Sequence, residues 1–355
     1  MPKIYATILS LGGDMKITIA LAVGLGLSLS AAHTAQTGES IAAEPLRLVS
    51  LSHFIHATEK LETTLAFYKE VFDFDAAPPR VNANPGVALL NNRPGIGLRA
   101  STPKFPGETF GIEMTDFSNV DKKGGQARAT DPGGIELILP VRDLDAVLAA
   151  AKKAGAPIVT RSGAPVTVTT PGGRARAIVI RDNDGFMVRV VEVPATMPGM
   201  VQPGASLAVA VRDMDETAKF YHDVVGIDLG GDRKFQRDEA MADLVGAPSK
   251  SEYRMQSFAF PGTKAARMEF YEWKGMPRTT FHLRVPDPGA SGWVARVSNI
   301  DAMMKEVNAR HTTKLTPEPV WFTKTISDIF IEDPNGMNLE LFQNVPASKG
   351  TNESQ

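Results

Sequence analysis

The sequence predicts an α+β fold of four βαβββ-like units arranged as two tandem copies, and three repeated features carry that prediction. The first is a helical face: Leu61, Thr64, Leu65, Tyr68 and Phe72 fall on one side of a helix, and Met214, Thr217, Ala218, Tyr221 and Val225 repeat the offsets. Both stretches carry a Phe-Tyr pair, Phe67-Tyr68 and Phe220-Tyr221. The second is an Asp-Pro-Gly triplet, at Asp131 and again at Asp287, ahead of further strand-helix patterns. The third is a pair of closing apolar runs, from Ala177 and from Asp328, each folded about a glycine turn, "DNDG" from Asp182 and "DPNG" from Asp333. The copies lie roughly 150 residues apart, and a fixed period of this kind decides the architecture before single elements are assigned.

Taken in order, the first strand alternates His53, Ile55 and Ala57 on one face with Phe54 and His56 on the other, the second set facing the helices. Two further helices follow the plan of the first pair, with faces at Leu144, Val147, Leu148, Ala151 and at Ile300, Met303, Met304, Val307. Asp213 with Glu216 three residues on forms a capping-box pattern. Strand-like runs from Phe110 and from Ala266 correspond between the copies. The prolines and glycines of Pro194–Gly204 mark an extended linker between residues 46–193 and 205–345, and the polar stretch 346–355 predicts a disordered tail.

Bulk properties narrow the function classes. At 355 residues the chain exceeds one core and suits two domains. A net charge of -2 offers no basic surface for nucleic acid. With no cysteine there are no disulfides, thiolate sites or cysteine nucleophiles, so any metal must be held by His, Asp or Glu. From Met15, one lysine, an apolar run Ile17–Leu29 and small residues around Ala32 and Ala35 form an export-signal pattern. The expected location is therefore periplasmic or secreted, with residues 1–35 removed, Met15 as the true start and no stable membrane anchor; the competing reading is an uncleaved interfacial helix. No phosphate-binding glycine loop and no nucleophile elbow is present.

Paired βαβββ units with a Phe-Tyr-x-acid-Val helix and a final "DPNGMNLEL" strand resemble the vicinal oxygen chelate superfamily, which includes glyoxalase I, bleomycin-resistance proteins and extradiol dioxygenases. The resemblance spans Leu46 to Val345 and implies cup-shaped mixed sheets, each cup holding a divalent ion where first and last strands converge. It implies ligand positions at His53, Glu113, Glu136 and Arg189 for the first pair of units, and at Ser206, Glu269, Gly292 and Glu340 for the second.

Ser206 and Gly292 cannot replace imidazoles, so a two-histidine iron site for ring cleavage has no residues in the second pair. In the first pair, His53, Glu113 and Glu136 suffice for a three-ligand site taking zinc, nickel, manganese or iron. Arg189 opposes it, because a fixed cation about 4 Å from an ion costs on the order of 4 kcal/mol per unit charge at an effective dielectric near 20. An arginine–carboxylate pair satisfying Glu136 or Glu113 without metal is the competing arrangement. His56 is expected as a core histidine bonded to backbone. Aromatics gather in the second copy, either as core or lining an apolar cup, with Arg189, Glu269, Trp293 and Glu340 as ligand-binding candidates. The expected function is therefore binding of a small organic molecule by a metal-degenerate protein. The alternatives are a divalent-metal lyase or isomerase at the first pair and a non-catalytic interaction module. A monomer or homodimer is expected.

Overall fold

The computed structural model describes residues 46–170 and 173–345. The expected export signal (residues 1–35) and polar tail (346–355) lie outside the described residues.

Four modules follow one another. The first comprises β1 (Leu48–Ala57), α1 (Leu61–Phe72), β2 (Arg80–Asn82), α2 (Gly86–Leu90), β3 (Gly97–Ser101) and β4 (Ile112–Ser118). The second is β5 (Ile135–Val141), α3 (Leu144–Lys153), β6 (Val166–Thr170), β7 (Gly173–Arg181) and β8 (Met187–Glu192). The third repeats the first, with β9 (Ser206–Val211), α4 (Met214–Phe220), β10 (Gly230–Arg237), α5 (Glu239–Leu244), β11 (Glu252–Ala259) and β12 (Arg267–Lys274). The fourth repeats the second, with β13 (Ser291–Val297), α6 (Ile300–Ala309), β14 (Val320–Thr323), β15 (Ile326–Glu332) and β16 (Asn338–Asn344).

The helices start where the sequence offers caps. Asp143, Asp213 and Asn299 each accept hydrogen bonds from the first-turn amides of α3, α4 and α6, satisfying donors that have no partner within the helix. The predicted apolar faces are the buried ones: Leu61, Thr64, Tyr68 and Phe72 of α1, Met214 and Thr217 of α4, and all four predicted positions of α3 and of α6. These faces pack on the convex sides of the sheets to make the main core, which also holds Phe54, Phe258, Phe270 and Trp293.

The two mixed sheets each contain eight strands and draw one module from each half of the chain. One runs β14-β15-β16-β13-β1-β4-β3-β2, joining the fourth module to the first; the other runs β10-β11-β12-β9-β5-β8-β7-β6, joining the third to the second. The joins are antiparallel, His53 opposite Val294 across β1 and β13, and Ile138 opposite Ser206 across β5 and β9. The first and second units do not share a cup, and neither do the third and fourth. This corrects the grouping by sequence order: module two sits beside module three because β5 pairs with β9, which sends Glu136 and Arg189 away from His53 and Glu113.

The halves are tied by a reciprocal clasp. Asp131 takes its own Arg128 and the amide of Thr279, while Asp287 takes its own Arg284 and the amide of Lys123. The two Asp-Pro-Gly triplets therefore cross-link the segments that enter modules two and four. The Pro194–Gly204 linker is tethered too: the buried Gln202 side chain bonds the backbone of Met197 and Gly199, and its amide donates to Pro140. No helix among the described residues is long and apolar enough to cross a membrane.

Candidate functional site

The concave face of the first–fourth-module sheet is apolar, lined by Ile55, Val87, Leu90, Phe117, Val294 and Phe330. Four titratable side chains of this sheet, His53, Glu113, Asp328 and Glu340, bear on the cup. His53 lies on β1, and its Nε2 is 3.5 Å from Glu113 Oε2 on β4, with both side chains partly exposed. Ser52 Oγ sits 3.0 Å from His53 Nδ1, which fixes the ring and leaves Nε2 directed toward Glu113. Glu340 lies on β16, in register with Val294, which is itself in register with His53; the two thus flank one intervening strand, about 10 Å apart at the backbone. Asp328, buried on β15, shares a hydrogen bond with Glu340.

The electrostatics follow from that crowding. Burial would raise Glu113, but the imidazole beside it brings the carboxyl below its ordinary range. Burial pushes Asp328 up to about 6, against the hydrogen bond from Glu340. Glu340 is raised well above the usual carboxylate range, first by burial and then by repulsion from Asp328 and Glu113. Two carboxyl groups buried side by side favour keeping a proton on one of them. Asp328 Oδ1 is buried without a partner.

The fourth ligand position is Gly292, and the structure supplies the reason. A Cβ there would stand 1.9 Å from the carbonyl oxygen of Asn338 on the adjoining strand. The β13 and β16 backbones approach too closely for any side chain.

The other cup carries the remaining positions in a different chemical state. Arg189 on β8 forks onto Glu136 on β5 at 2.9 and 3.0 Å, and its third nitrogen reaches Tyr271 at 3.2 Å. Tyr271 donates to Glu269 at 2.7 Å, and Glu269 lies 3.7 Å from the same guanidinium. All of these side chains are buried. Burial disfavours the arginine charge, yet Glu136, Tyr271 and Glu269 outweigh it and raise Arg189 further above its ordinary value. Two carboxylates that would offer oxygens to a cation are thus consumed by an internal one. Ser206 bonds backbone on both sides.

Each expected site residue can now be located. The trio His53, Glu113 and Glu136 is divided between cups. Arg189 and Glu269 line the closed cup and not an open ligand site, whereas Glu340 joins His53 and Glu113. Trp293 is fully buried in the main core, edge-on to Phe258 and Phe260. Strand alternation next to inward Gly292 puts it on the convex side, so it lines no cup. Asp328 was not singled out from the sequence; its signal is a carboxylate near the start of the mostly apolar strand "ISDIFIE".

His56 also departs from expectation. It is completely buried and pairs with Asp182 at 2.9 Å and Asp184 at 3.5 Å, not with backbone. These three bring metal-ligating atoms within 4.8 Å of one another. Their oxygens are already engaged: Asp182 Oδ1 accepts from the amides of Asp184 and Phe186 and its Oδ2 from Tyr68, while Asp184 accepts from the Glu59 amide and Thr64. Burial lowers the His56 pKa, but Asp182 and Asp184 win and bring it to about 9, so the ring is a cation at neutral pH. The group is an internal hydrogen-bonded knot in which one imidazolium faces two carboxylates.

Repeated βαβββ modules and curled mixed sheets define an α+β protein of two tandem copies, with a His-carboxylate cluster inside one cup. The Glyoxalase/Bleomycin resistance protein/Dioxygenase superfamily model matches residues 50–190 and again 205–341, and the chain belongs to that superfamily. Glyoxalase I from Zea mays is similar at 18% identity and a TM-score of 0.53, over 84% of this chain and 93% of that one. A candidate dioxygenase from Bacillus subtilis is similar at 12% identity and a TM-score of 0.51, over 84% and 86%. At such identities the likeness concerns the fold. Among curated proteins no match is found.

Proposed function

We propose that the first–fourth-module cup is a divalent-metal site acting on a small organic molecule, and that the other cup is a structural copy closed by Arg189. The observation that carries this is the collection of His53, Glu113, Glu340 and Asp328 in one cup, where no arginine or lysine among the described residues is paired with them. The donor types suit a cation, one imidazole and three carboxyls with Asp328 Oδ1 lacking a partner, but they stand further apart than the 4.8 Å within which His56, Asp182 and Asp184 converge, so the side chains must draw in to bind one. His53, Glu113 and Glu340 would hold the ion, and Gly292 leaves the coordination incomplete on the β13 side. A bound divalent ion supplies Lewis acidity toward a carbonyl or paired ligand oxygens.

The chain's own residues do the rest. Ser52 orients His53. The apolar lining excludes water around the carboxyls, which strengthens their effect on a bound ligand. Asp328, beside Glu340 and raised by burial, can pass a proton to or from a carbon beside a carbonyl, the requirement of lyase and isomerase chemistry. The glyoxalase name of the maize relative supports this class and names no substrate for this chain. Export through the Met15–Ala35 segment is part of the proposal; recovery from the periplasm with a new N-terminus after Ala32 or Ala35 supports it, and a retained Met1 opposes it.

Deuterium uptake tests the reaction. The protein loaded with zinc, nickel, manganese or iron(II) is incubated with small 2-oxo acids in heavy water and followed by proton NMR. Metal-dependent exchange beside the carbonyl, lost in Glu340→Gln, is expected. Metal binding with no exchange in any compound would reduce the site to a binding function.

A further inference from the structure

We propose that the cleft at one end of the first–fourth-module cup receives a small organic acid with a body about the size of one ring, its anionic group held at Arg93. This deepens the reading above, since it names the ligand class for that same cup.

The cleft has a volume of about 270 Å³. An apolar cavity of about 150 Å³ is enough for benzene, so this one holds a single ring with a short acidic arm. Its floor is Leu90, Val285, Leu315 and Phe330, all packed in the apolar cluster of the concave face. Phe330 is in register with Glu340 and two residues beyond Asp328, roughly 7 Å along the strand. A body lying on Phe330 therefore points toward the carboxyl cluster.

Charge selects the class. Arg93, Arg284 and Lys314 line the cleft, and no Asp or Glu does. Arg284 is neutralised by Asp287 in the clasp, and Lys314 lies 3.1 Å from the exposed Glu318. Arg93 is half-buried and has no ion-pair partner among the described residues. A guanidinium in a partly desolvated position gains most from an anion, and its planar fork suits a carboxylate. On the opposite concave face Met241, Leu244, Tyr253 and Trp273 are buried together.

Phenylacetate, benzyl alcohol and phenethylamine form a matched set of probes, anionic, neutral and cationic. Titrated calorimetrically into the full chain at low salt, phenylacetate is expected to bind about tenfold more tightly than the other two, the worth of one charge-assisted contact. Arg93→Gln removes that preference, and Leu315→Trp, which fills the cleft, removes binding of all three. Equal affinity for acid and alcohol, undiminished phenylacetate binding by Arg93→Gln, or no phenylacetate binding by the parent overturns the proposal. Metal content of the parent, Arg93→Gln and His53→Ala is read in parallel. Metal retained without the acid preference refutes the cleft alone, whereas the acid preference without metal refutes the metal site alone.

Discussion

At the scale of residues, the repeat supplies its own control for the buried histidine. Tyr68 and Thr64 hold Asp182 and Asp184 as Tyr221 and Thr217 hold Asp333 and Asn335, but the position of His56 is Val209 in the other copy. Where the loop carries neutral Asn335 it needs no cation; where it carries Asp184, His56 provides one. His56→Val should therefore cost ~3–5 kcal/mol, the range for stripping one partner from a buried ion pair. His56→Val with Asp184→Asn, copying the second half, should recover most of that loss in chemical denaturation. The pH dependence has a definite sign. Since the folded value, about 9, lies above the unfolded one of 6.5, the contribution is complete below pH ~6.5 and is lost as pH rises through 9. A fall of order 3 kcal/mol across that window is expected, absent in the double variant. A pH-independent stability from 6.5 to 9 would contradict a charged His56.

Elements explain why one cup is open to ligand and the other is not. Each short helix, α2 or α5, lies over a concave face and reaches the far edge of the partner module. Helix α5 is capped by Asp238 and bonded through Thr160, Ser162 and Arg161, the last also paired with Glu239. Helix α2 starts after Pro85 with Asn84 Oδ1 accepting from the Gly86 amide; its ties across the cup include Asn84 to the Phe322 carbonyl and Thr316 to the Leu90 carbonyl, and Leu89 remains exposed. Fewer buried bonds mean cheaper local opening. Hydrogen exchange should release the α2 amides well before those of α5, and ligand or metal should slow α2 selectively. Equal protection of both helices would remove the distinction. The long helices and the Asp213 cap were legible in the sequence because a 3.6-residue period and a capping box are local signals. The short helices α2 and α5 were not, since five or six residues hold too little of a period, and both are stabilised by contacts with distant segments.

On the scale of the whole molecule, the fold class was readable from the repeat, whereas the partnership of modules was not. Alternation tells which face of β1 is concave and carries His53; it does not encode whether β5 or β13 lies alongside. That choice rests on the antiparallel joins and the reciprocal Asp131–Asp287 clasp, formed between residues about 150 positions apart. Grouping by sequence order consequently placed Glu136 with His53, when the structure places Glu340 there. A cup built from both halves makes a further prediction: fragments 44–198 and 199–345, made separately, should bind divalent metal at least a hundredfold more weakly than their mixture. A first half that binds metal as tightly as the intact chain would contradict it. The most direct measurement is a divalent-metal titration of the intact protein alongside Glu340→Ala and Glu136→Ala. The account predicts one ion per chain, lost with Glu340→Ala and retained with Glu136→Ala; loss with Glu136→Ala and retention with Glu340→Ala would contradict it.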